Sequence, residues 1–593
     1  MALALIAAHV VLVAWSTSTT WFKQDDYALL LRASTAGGFP GTLSQDFIGH
    51  LFPGQLALIS AVHGLFGMNW TAVVLITALL QFMASFFTWR VLRSIFGRRP
   101  VALLLLVTYL TSVLAFQPVM WWCTVVLYLP LQIAFPAALL LMQRALRTRS
   151  RIDAALPAVV ILLGALFFEK ALTITPFLIL LVASTKVLPT SSETARERLK
   201  EAKAPLIWVT GITIIYGVIY QILTRNSPYR PQFETSRLSN ISLDSLTHLF
   251  LPSFTGGPLP VGTTTPRFAT LYFTPSALQM SITSVQVWAT ALVVVGLIAW
   301  SLITFRTGLR FWLMIAGFFL ANLLTLVFSG RQWIPNPRYY AELLFPTVVL
   351  LGLATGASAI NPPVRRRPVS IDALPRGRPI RIGAGCAVAI SMIFVASINM
   401  NEIRKVMEPA PAKAYSENAL RTSAEIGRPV SLIRQFAPGD IINGIFLNGV
   451  NFTETVLAPL SGPWNFSDAS TDPYMVLDDG SVVPATTSHE TVPFYTSGLC
   501  NLDLVDGTSS RLQLNGDPFP WTWYGSLTAA TKSDVTIAVD WNQGPTTFTL
   551  PAGVSRTLFF IPGGGDSLQV TVEGGDVCVV DLGFGNLMPD QSR

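Results

Sequence analysis

The sequence predicts a polytopic α-helical membrane protein of about eleven spans, followed by a C-terminal β-sandwich domain on the outer side of the membrane. Three observations carry this. The 593 residues are 51% hydrophobic and only 12% charged, about half the charged fraction of an ordinary soluble domain. Basic residues fall in short clusters between long apolar runs, all on one side of the implied membrane, so the net charge of +7 is a topology signal and not a nucleic-acid footprint. The last third abandons long apolar runs for short, alternating ones.

The first run, Ala2 to Trp15, leads directly into Trp21-Phe22-Lys23-Gln24-Asp25-Asp26-Tyr27. No basic stretch precedes it, so no cleavable signal is expected. A polar stretch through His50 is followed by Leu51 to Gly67, which is short and broken by Pro53, Gly54 and His63. Charge places it. Trp70 to Trp89 ends in Arg90, Arg93, Arg98 and Arg99, a cytoplasmic signature; with Asp25 outside, only one crossing fits between, and Leu51 to Gly67 should lie in the interface. Val101 to Phe116 goes out and Trp122 to Met142 returns to Arg144, Arg147, Arg149 and Arg151. Two short helices, Leu156 to Phe168 and Ala171 to Ser184, go out and back to Lys186, Arg196, Arg198, Lys200 and Lys203. Leu206 to Leu223 opens a polar outer loop, Thr224 to Ser284, and Val287 to Phe305 returns to Arg306 and Arg310. Phe311 to Phe328 goes out, Tyr340 to Ile360 comes back to an arginine-rich loop, and Ile382 to Ile398 makes the last crossing.

Three divisions follow: a membrane domain over residues 1–400, a mixed α/β connector over 401–490, and a sandwich over 491–593. Ala414 to Phe436 has helical periodicity. Strands are expected at Leu512 to Leu514, Asp534 to Val539, Thr546 to Leu550, Thr557 to Ile561, Leu568 to Val572 and Val577 to Asp581, separated by turns such as Gly563-Gly564-Gly565-Asp566. Cys123 and Cys386 lie in apolar runs and should pack as small hydrophobes. Cys500 and Cys578 can form a disulfide if the C-terminal third faces an oxidising compartment. None of the cysteine spacings is that of a metal site.

The candidate chemistry lies on the outer face. Asp25 and Asp26 follow the first span directly, and a pair of anions at a membrane boundary is costly unless used. They are either a catalytic carboxylate or a polar stop in which one of them caps the next helix. Arg32 and His50 share that outer loop. Glu169 and Lys170 stand at the tip of the short helix pair inside an apolar sequence, which is tolerable if they line a cavity, pair with each other, or if Lys170 reaches outward. Arg331, Arg338 and Tyr339 occupy a short outer connection; an outward arginine breaks the positive-inside bias, and its planar fork suits phosphate oxygens or lipid headgroups. A carboxylate base together with phosphate-binding cations and a bilayer-embedded body suits sugar transfer from a lipid phosphate.

The segments His50-Leu51-Phe52-Pro53-Gly54-Gln55-Leu56-Ala57-Leu58 and Leu65-Phe66-Gly67, after a first helix and an acidic loop, resemble the GT-C superfamily of integral-membrane glycosyltransferases. That family carries a His/Lys-Pro-Pro-Leu-type segment here; this chain has one proline, Pro53, displaced from His50. Trp121-Trp122 with Tyr128-Leu129-Pro130, and Arg338-Tyr339-Tyr340, resemble its actinobacterial, arabinofuranosyl- and mannosyltransferase-like branch, over most of Met1 to Ile398. The resemblance implies a polyprenyl-phosphate sugar donor such as decaprenyl-phosphate arabinose or mannose, and a cell-envelope glycan or glycolipid acceptor. It places the enzyme in a bacterial plasma membrane with an extracytoplasmic active site. Asp25 or Asp26 would be the base, Arg338, Arg331 and Lys170 the donor-phosphate ligands, and His50, Glu169, Tyr339, Trp121 and Trp122 substrate contacts. The C-terminal sandwich would be similar to a carbohydrate-binding module, with Trp521, Trp523, Tyr524 and Trp541 available to stack on sugars or to fill its core. Tyr229, Arg230, Asp244 and His248 of the long outer loop are acceptor-binding candidates or plain solvated residues.

Two other readings compete. A transporter or flippase would place paired charges near the bilayer midplane and show internal repeats, and neither is visible. A glycan polymerase or ligase has no need of an acidic pair directly after its first helix. No cofactor is expected: adjacent aspartates can hold a divalent cation, but no further oxygen ligands converge with them in sequence.

Overall fold

The computed structural model describes residues 1–35, 46–47, 49–116, 118–184, 187–190, 192–227, 245–257, 284–305, 308–328, 337–356, 377–407, 411–444, 447, 449–495 and 500–592. Contacts divide the chain into two compact units, Met1–Phe22 with Arg32–Pro409, and Lys23–Leu31 with Ala410–Arg593. The acidic segment is therefore grouped with the C-terminal unit, although it is joined in sequence to the first helix.

The first unit is helical: α1 (Ala2–Ser18), the rest of α2 (Asp25–Thr35), α3 (Pro53–Phe66), α4 (Trp70–Phe96), α5 (Pro100–Thr111), α6 (Trp122–Thr148), α7 (Arg151–Phe167), α8 (Ile174–Ser184), α9 (Lys203–Thr224), α10 (Ser284–Thr304), α11 (Gly308–Phe328), α12 (Leu344–Ala354) and α13 (Gly377–Met407). Among the described residues six helices are long and apolar enough to cross a membrane, or seven if the bent pair Pro100–Thr111 and Val113–Met120 is one span. The difference from about eleven has a physical cause. α1, α7, α8 and α12 run 17, 17, 11 and 11 residues, and at about 1.5 Å per residue none covers a hydrocarbon core of about 30 Å alone. α3, 14 residues long, is likewise too short to span. Its start is fixed by Pro53 at the first turn, where the missing N–H costs nothing, and Gly67, at φ 61°, ends it.

α6 and α7 pack along each other, and α7 also packs on α9. Their shared core includes Phe135, Phe168, Phe177 and Phe345. The outward faces of α9 and α10 keep Ile207, Trp208, Ile214, Trp288, Leu292 and Val295 exposed, as lipid-facing helices require.

In the second unit, helix α14 (Ala412–Ile426) ends at Gly427, φ 74°, so the helical pattern expected to reach Phe436 stops early. A strand takes over. β3 (Val430–Ile433) pairs in parallel with β4 (Trp464–Ser467) and β6 (Pro473–Val476), and β7 (Val482–Thr487) runs antiparallel to β6. Beyond them lie β5 (Ala469–Ser470), β8 (Leu502–Leu504), β9 (Ser509–Gln513), β10 (Trp521–Thr531), β11 (Val535–Asp540), β12 (Pro545–Leu550), β13 (Gly553–Gly563), β14 (Ser567–Glu573), β15 (Val577–Gly585) and β16 (Leu587–Pro589), the last pairing back onto β7. Two antiparallel sheets, ordered β5-β13-β10-β15-β8 and β12-β11-β14-β9, share one core of Ile537, Val539, Trp541, Phe559, Val570, Val579 and Phe584 among others. All six expected strands are present. The central strand β10 was not among them, because its sequence has Gly525 in its middle. That glycine sits opposite Phe559, and a Cβ there would lie 2.1 Å from the ring; the aromatic covers the gap the glycine leaves.

Candidate functional site

In the helical unit His50, Glu169, Lys170, Arg338 and Glu342 stand in the links between helices. A two-residue hairpin, β1 (Asp46–Phe47) with β2 (His50–Leu51), brings His50 to the start of α3. α9 holds it: the Tyr220 hydroxyl donates to Gly49 O at 2.7 Å, and the Tyr216 hydroxyl lies 2.8 Å from Ala165 O and 3.2 Å from Leu51 O. Gln55, fully buried, donates to Cys123 O at 2.7 Å and ties α3 to α6. At Gly54 a Cβ would stand 3.0 Å from Leu166 O, so glycine lets α3 lie close against the end of α7. The sequence His50-Leu51-Phe52-Pro53-Gly54-Gln55 is thus a packing device that sets His50 against the α7–α8 link.

That link is a turn of 3-10 helix, Glu169–Thr173. Glu169 and Lys170 do not pair with each other, nor does Lys170 reach outward. Adjacent side chains on a tight helix diverge, and each finds a different partner. His50 Nδ1 lies 2.5 Å from Glu169 Oε1, with the imidazole stacked on Phe52 at 5.7 Å. Lys170 Nζ donates to Tyr339 O at 3.0 Å and to the buried Glu342 carboxylate, which also accepts from the Asn322 amide. The Phe168 ring lies 5.5 Å from the Lys170 ammonium.

Arg338 and Tyr339 occupy a second 3-10 turn, Pro337–Leu343, ahead of α12. The Arg338 guanidinium sits over Trp121 at 4.7 Å and beside the Tyr339 ring at 5.0 Å, and its Nη2 donates to the Tyr339 hydroxyl at 3.1 Å. Trp121 and Trp122 are both 1% exposed. Trp122 fills the core, and Trp121 serves as the floor under Arg338. Two cations, Lys170 and Arg338, are thus gathered with two carboxylates, Glu169 and Glu342, and one histidine. Sequence reasoning missed Glu342 and Asn322. The signal for them was Lys170 itself, since a cation in an apolar stretch requires a counter-charge, and Glu342 lies four positions after Arg338.

In the second unit Asp25 and Asp26 form the first turn of α2, where the helix dipole favours anions. They are not equivalent. Asp26 is buried, and its carboxylate accepts from Lys23 N–H at 3.0 Å while its own N–H donates to Lys23 O at 3.0 Å. Together the two bonds close the turn that leads into α2. Asp25 is half-buried.

Cys500 and Cys578 are joined in a disulfide. The only cluster of metal-ligand-type side chains found among the described residues, Cys500, Asp503 and Cys578, contains that disulfide and has no free thiolate to offer. Of the four aromatics proposed for glycan, Trp541 is fully buried, Tyr524 is buried and Trp523 packs against the sandwich core. Trp521 is 58% exposed and lies 6.4 Å from the Phe436 ring. Arg331, Tyr229, Arg230 and Asp244 lie outside the described residues, as does the side chain of His248.

No protein-family model matches the chain, and no curated protein is similar to it in sequence. Among solved structures it is similar to ArnT from Cupriavidus metallidurans bound to undecaprenyl phosphate, at 13% identity and TM-score 0.42, over 80% of this chain and 93% of that one. An Archaeoglobus fulgidus oligosaccharyltransferase tethered to an acceptor peptide matches at 13% identity and TM-score 0.38, over 76% of this chain and 63% of that one. The arabinofuranosyltransferase AftD from Mycobacteria matches at 11% identity and TM-score 0.36, over 100% of this chain and 59% of that one.

Proposed function

We propose that the chain is an integral-membrane glycosyltransferase of the GT-C type that moves a sugar from a polyprenyl-phosphate donor to a cell-envelope glycan or glycolipid. The carrying observation is where the charges stand. His50, Glu169, Lys170, Arg338 and Glu342 all belong to links between helices, whereas a transporter needs such groups near the middle of its spans. The basic loops and the Cys500–Cys578 disulfide support an outer, oxidising side for the C-terminal unit, in a bacterial plasma membrane.

The roles follow from chemistry. Asp25, the half-buried member of the acid pair, takes the proton from an acceptor hydroxyl as its oxygen attacks the anomeric carbon. The bond from that carbon to the phosphate oxygen breaks, and its electron pair leaves with the polyprenyl phosphate. Arg338, with its guanidinium planted on aromatic faces, stabilises the charge that develops there. Lys170, already shared with Glu342, contributes less. One displacement with one base inverts the anomeric carbon. Trp521, with Phe436 beside it, is the sandwich position suited to stacking on glycan.

The test is transfer from a labelled polyprenyl-phosphate sugar pool by purified protein. Asp25→Asn should lose transfer by several orders of magnitude while folding normally. Asp26→Asn should weaken the helix start by about 1 kcal/mol and keep measurable turnover. Wild-type protein that transfers nothing from any such donor, or a fully active Asp25→Asn, brings the transporter reading forward.

A further inference from the structure

Gln24, between the first helix and the acid pair, has a backbone φ of 50°, a left-handed conformation that costs a glutamine about 1–2 kcal/mol. Such a conformation persists only where its surroundings over-determine it. Here they do. The Gln24 N–H donates to Ile441 O at 3.2 Å, and its Oε1 accepts from Asn443 N–H at 2.8 Å, two contacts that span 419 residues of sequence at the side chain. The receiving loop is itself rigid: Ile441 and Ile442 both donate to Pro438 O and are fully buried. The Gln24 carbonyl accepts from Tyr27 N–H at 3.1 Å, inside the turn that starts α2. The side chain is 1% exposed, and its Nε2 has no hydrogen-bond partner among the described residues. A buried donor left unmatched costs about 1–3 kcal/mol, so the amide is kept for what its oxygen does.

We infer that Gln24 is a positioning residue through which the loop Pro438–Asn443 of the C-terminal unit sets the conformation of the acid pair. The β-rich unit is then part of the catalytic apparatus, because it holds at two points the residue that immediately precedes Asp25. This rests on the transferase reading for its kinetic arm only.

Three variants separate the side chain from the backbone. Gln24→Asn tolerates the left-handed φ but is one methylene too short to reach Asn443. Gln24→Gly accepts the φ and has no side chain. Gln24→Glu keeps the acceptor oxygen. With the full chain in nanodiscs, Gln24→Asn and Gln24→Gly should lower kcat by about 100-fold, the cost of a misplacement of about 1 Å. KM for the donor should stay within about twofold, and the thermal midpoint should fall by no more than the loss of one buried hydrogen bond accounts for, about 1–3 kcal/mol, with the fold retained. Gln24→Glu should recover most of the rate and move the acidic limb of the pH profile upward, since a second carboxylate beside Asp25 disfavours its ionised form. Independently of activity, amide hydrogen exchange at Asp26, Tyr27 and Asn443 should accelerate in Gln24→Asn and not in Gln24→Glu. Unchanged exchange in Gln24→Asn overturns the clamp whatever the protein catalyses. So does a rate within about threefold of wild type, or a loss of rate that tracks loss of fold. If wild type transfers no sugar, the transferase reading fails alone and the exchange result still decides this one.

Discussion

Replacing Glu342 with glutamine strands a buried ammonium, and the consequence can be worked from the geometry. The Glu342 side chain is 3% exposed and Lys170 15% exposed. The carboxylate receives Lys170 and the Asn322 amide on the same oxygen. Glu342→Gln keeps an acceptor for Asn322 but leaves the cation uncompensated, which costs about 3–5 kcal/mol at a buried site. Lys170→Met has the mirror effect and strands the carboxylate at a similar cost. Together the two changes leave a neutral amide against a thioether, and the sum of the single losses should largely disappear, as replacement of whole buried ion pairs does. The assay is thermal unfolding in nanodiscs, read by tryptophan fluorescence, as a double-mutant cycle, with sugar transfer measured on the same samples. Stability should return in the double variant, while KM for the donor stays raised if Lys170 holds the donor phosphate as proposed. Single changes below about 1 kcal/mol would refute the buried pair. A double variant with both stability and donor affinity restored would refute the phosphate role and leave Lys170 as architecture.

Three further expectations follow from the same structure. Reducing the Cys500–Cys578 disulfide, which closes 78 residues of sequence, should cost the C-terminal unit about 4.5 kcal/mol from loop entropy, seen as a lower unfolding midpoint with the helical unit unmoved. Trp541→Ala should destabilise by about 3–5 kcal/mol, since that ring is fully buried; Trp521→Ala should change stability by less than about 0.5 kcal/mol and weaken glycan binding by isothermal titration. Chelators should leave transfer unchanged, because arginine supplies the charge on phosphate that a divalent cation would otherwise supply; loss of activity in EDTA, restored by a divalent metal, contradicts this.

The elements legible in advance were those whose signal is periodic. The turn between α7 and α8 is anticipated from Glu169 and Lys170 interrupting an apolar run, and the six sandwich strands from their alternation. What escaped had a three-dimensional cause. β10 reads as a loop until Phe559 covers Gly525, and α14 gives way to β3 because Gly427 takes a positive φ that a periodicity count does not register. Among the described residues six or seven helices are long enough to cross, against about eleven expected, for a different reason. Hydropathy marks which segments are apolar, but 3-10 turns at Glu169–Thr173 and Pro337–Leu343 cut two of them below the length of a crossing.

The same turns explain why the candidate site was only half legible. Sequence can mark Lys170 and Arg338 as cations in unfavourable places, and it can mark Asp25 and Asp26 as anions at a boundary. It cannot assign partners, because the partners are far away along the chain: Glu342 for Lys170, Glu169 for His50, Trp121 for Arg338, and the loop at Ile441 for Gln24. An adjacent pair such as Glu169 and Lys170 invites a local ion pair, yet a tight helical turn points the two side chains apart, and each then recruits a charge or dipole from another element. The costlier it is to leave a charge alone, the more surely a distant residue has been recruited to it. Asp26 shows the converse: one partner of its carboxylate, Lys23 N–H, is only three residues away. Burial separates the pair: Asp26 is closed off from solvent, and the half-exposed Asp25 is the carboxylate to test first.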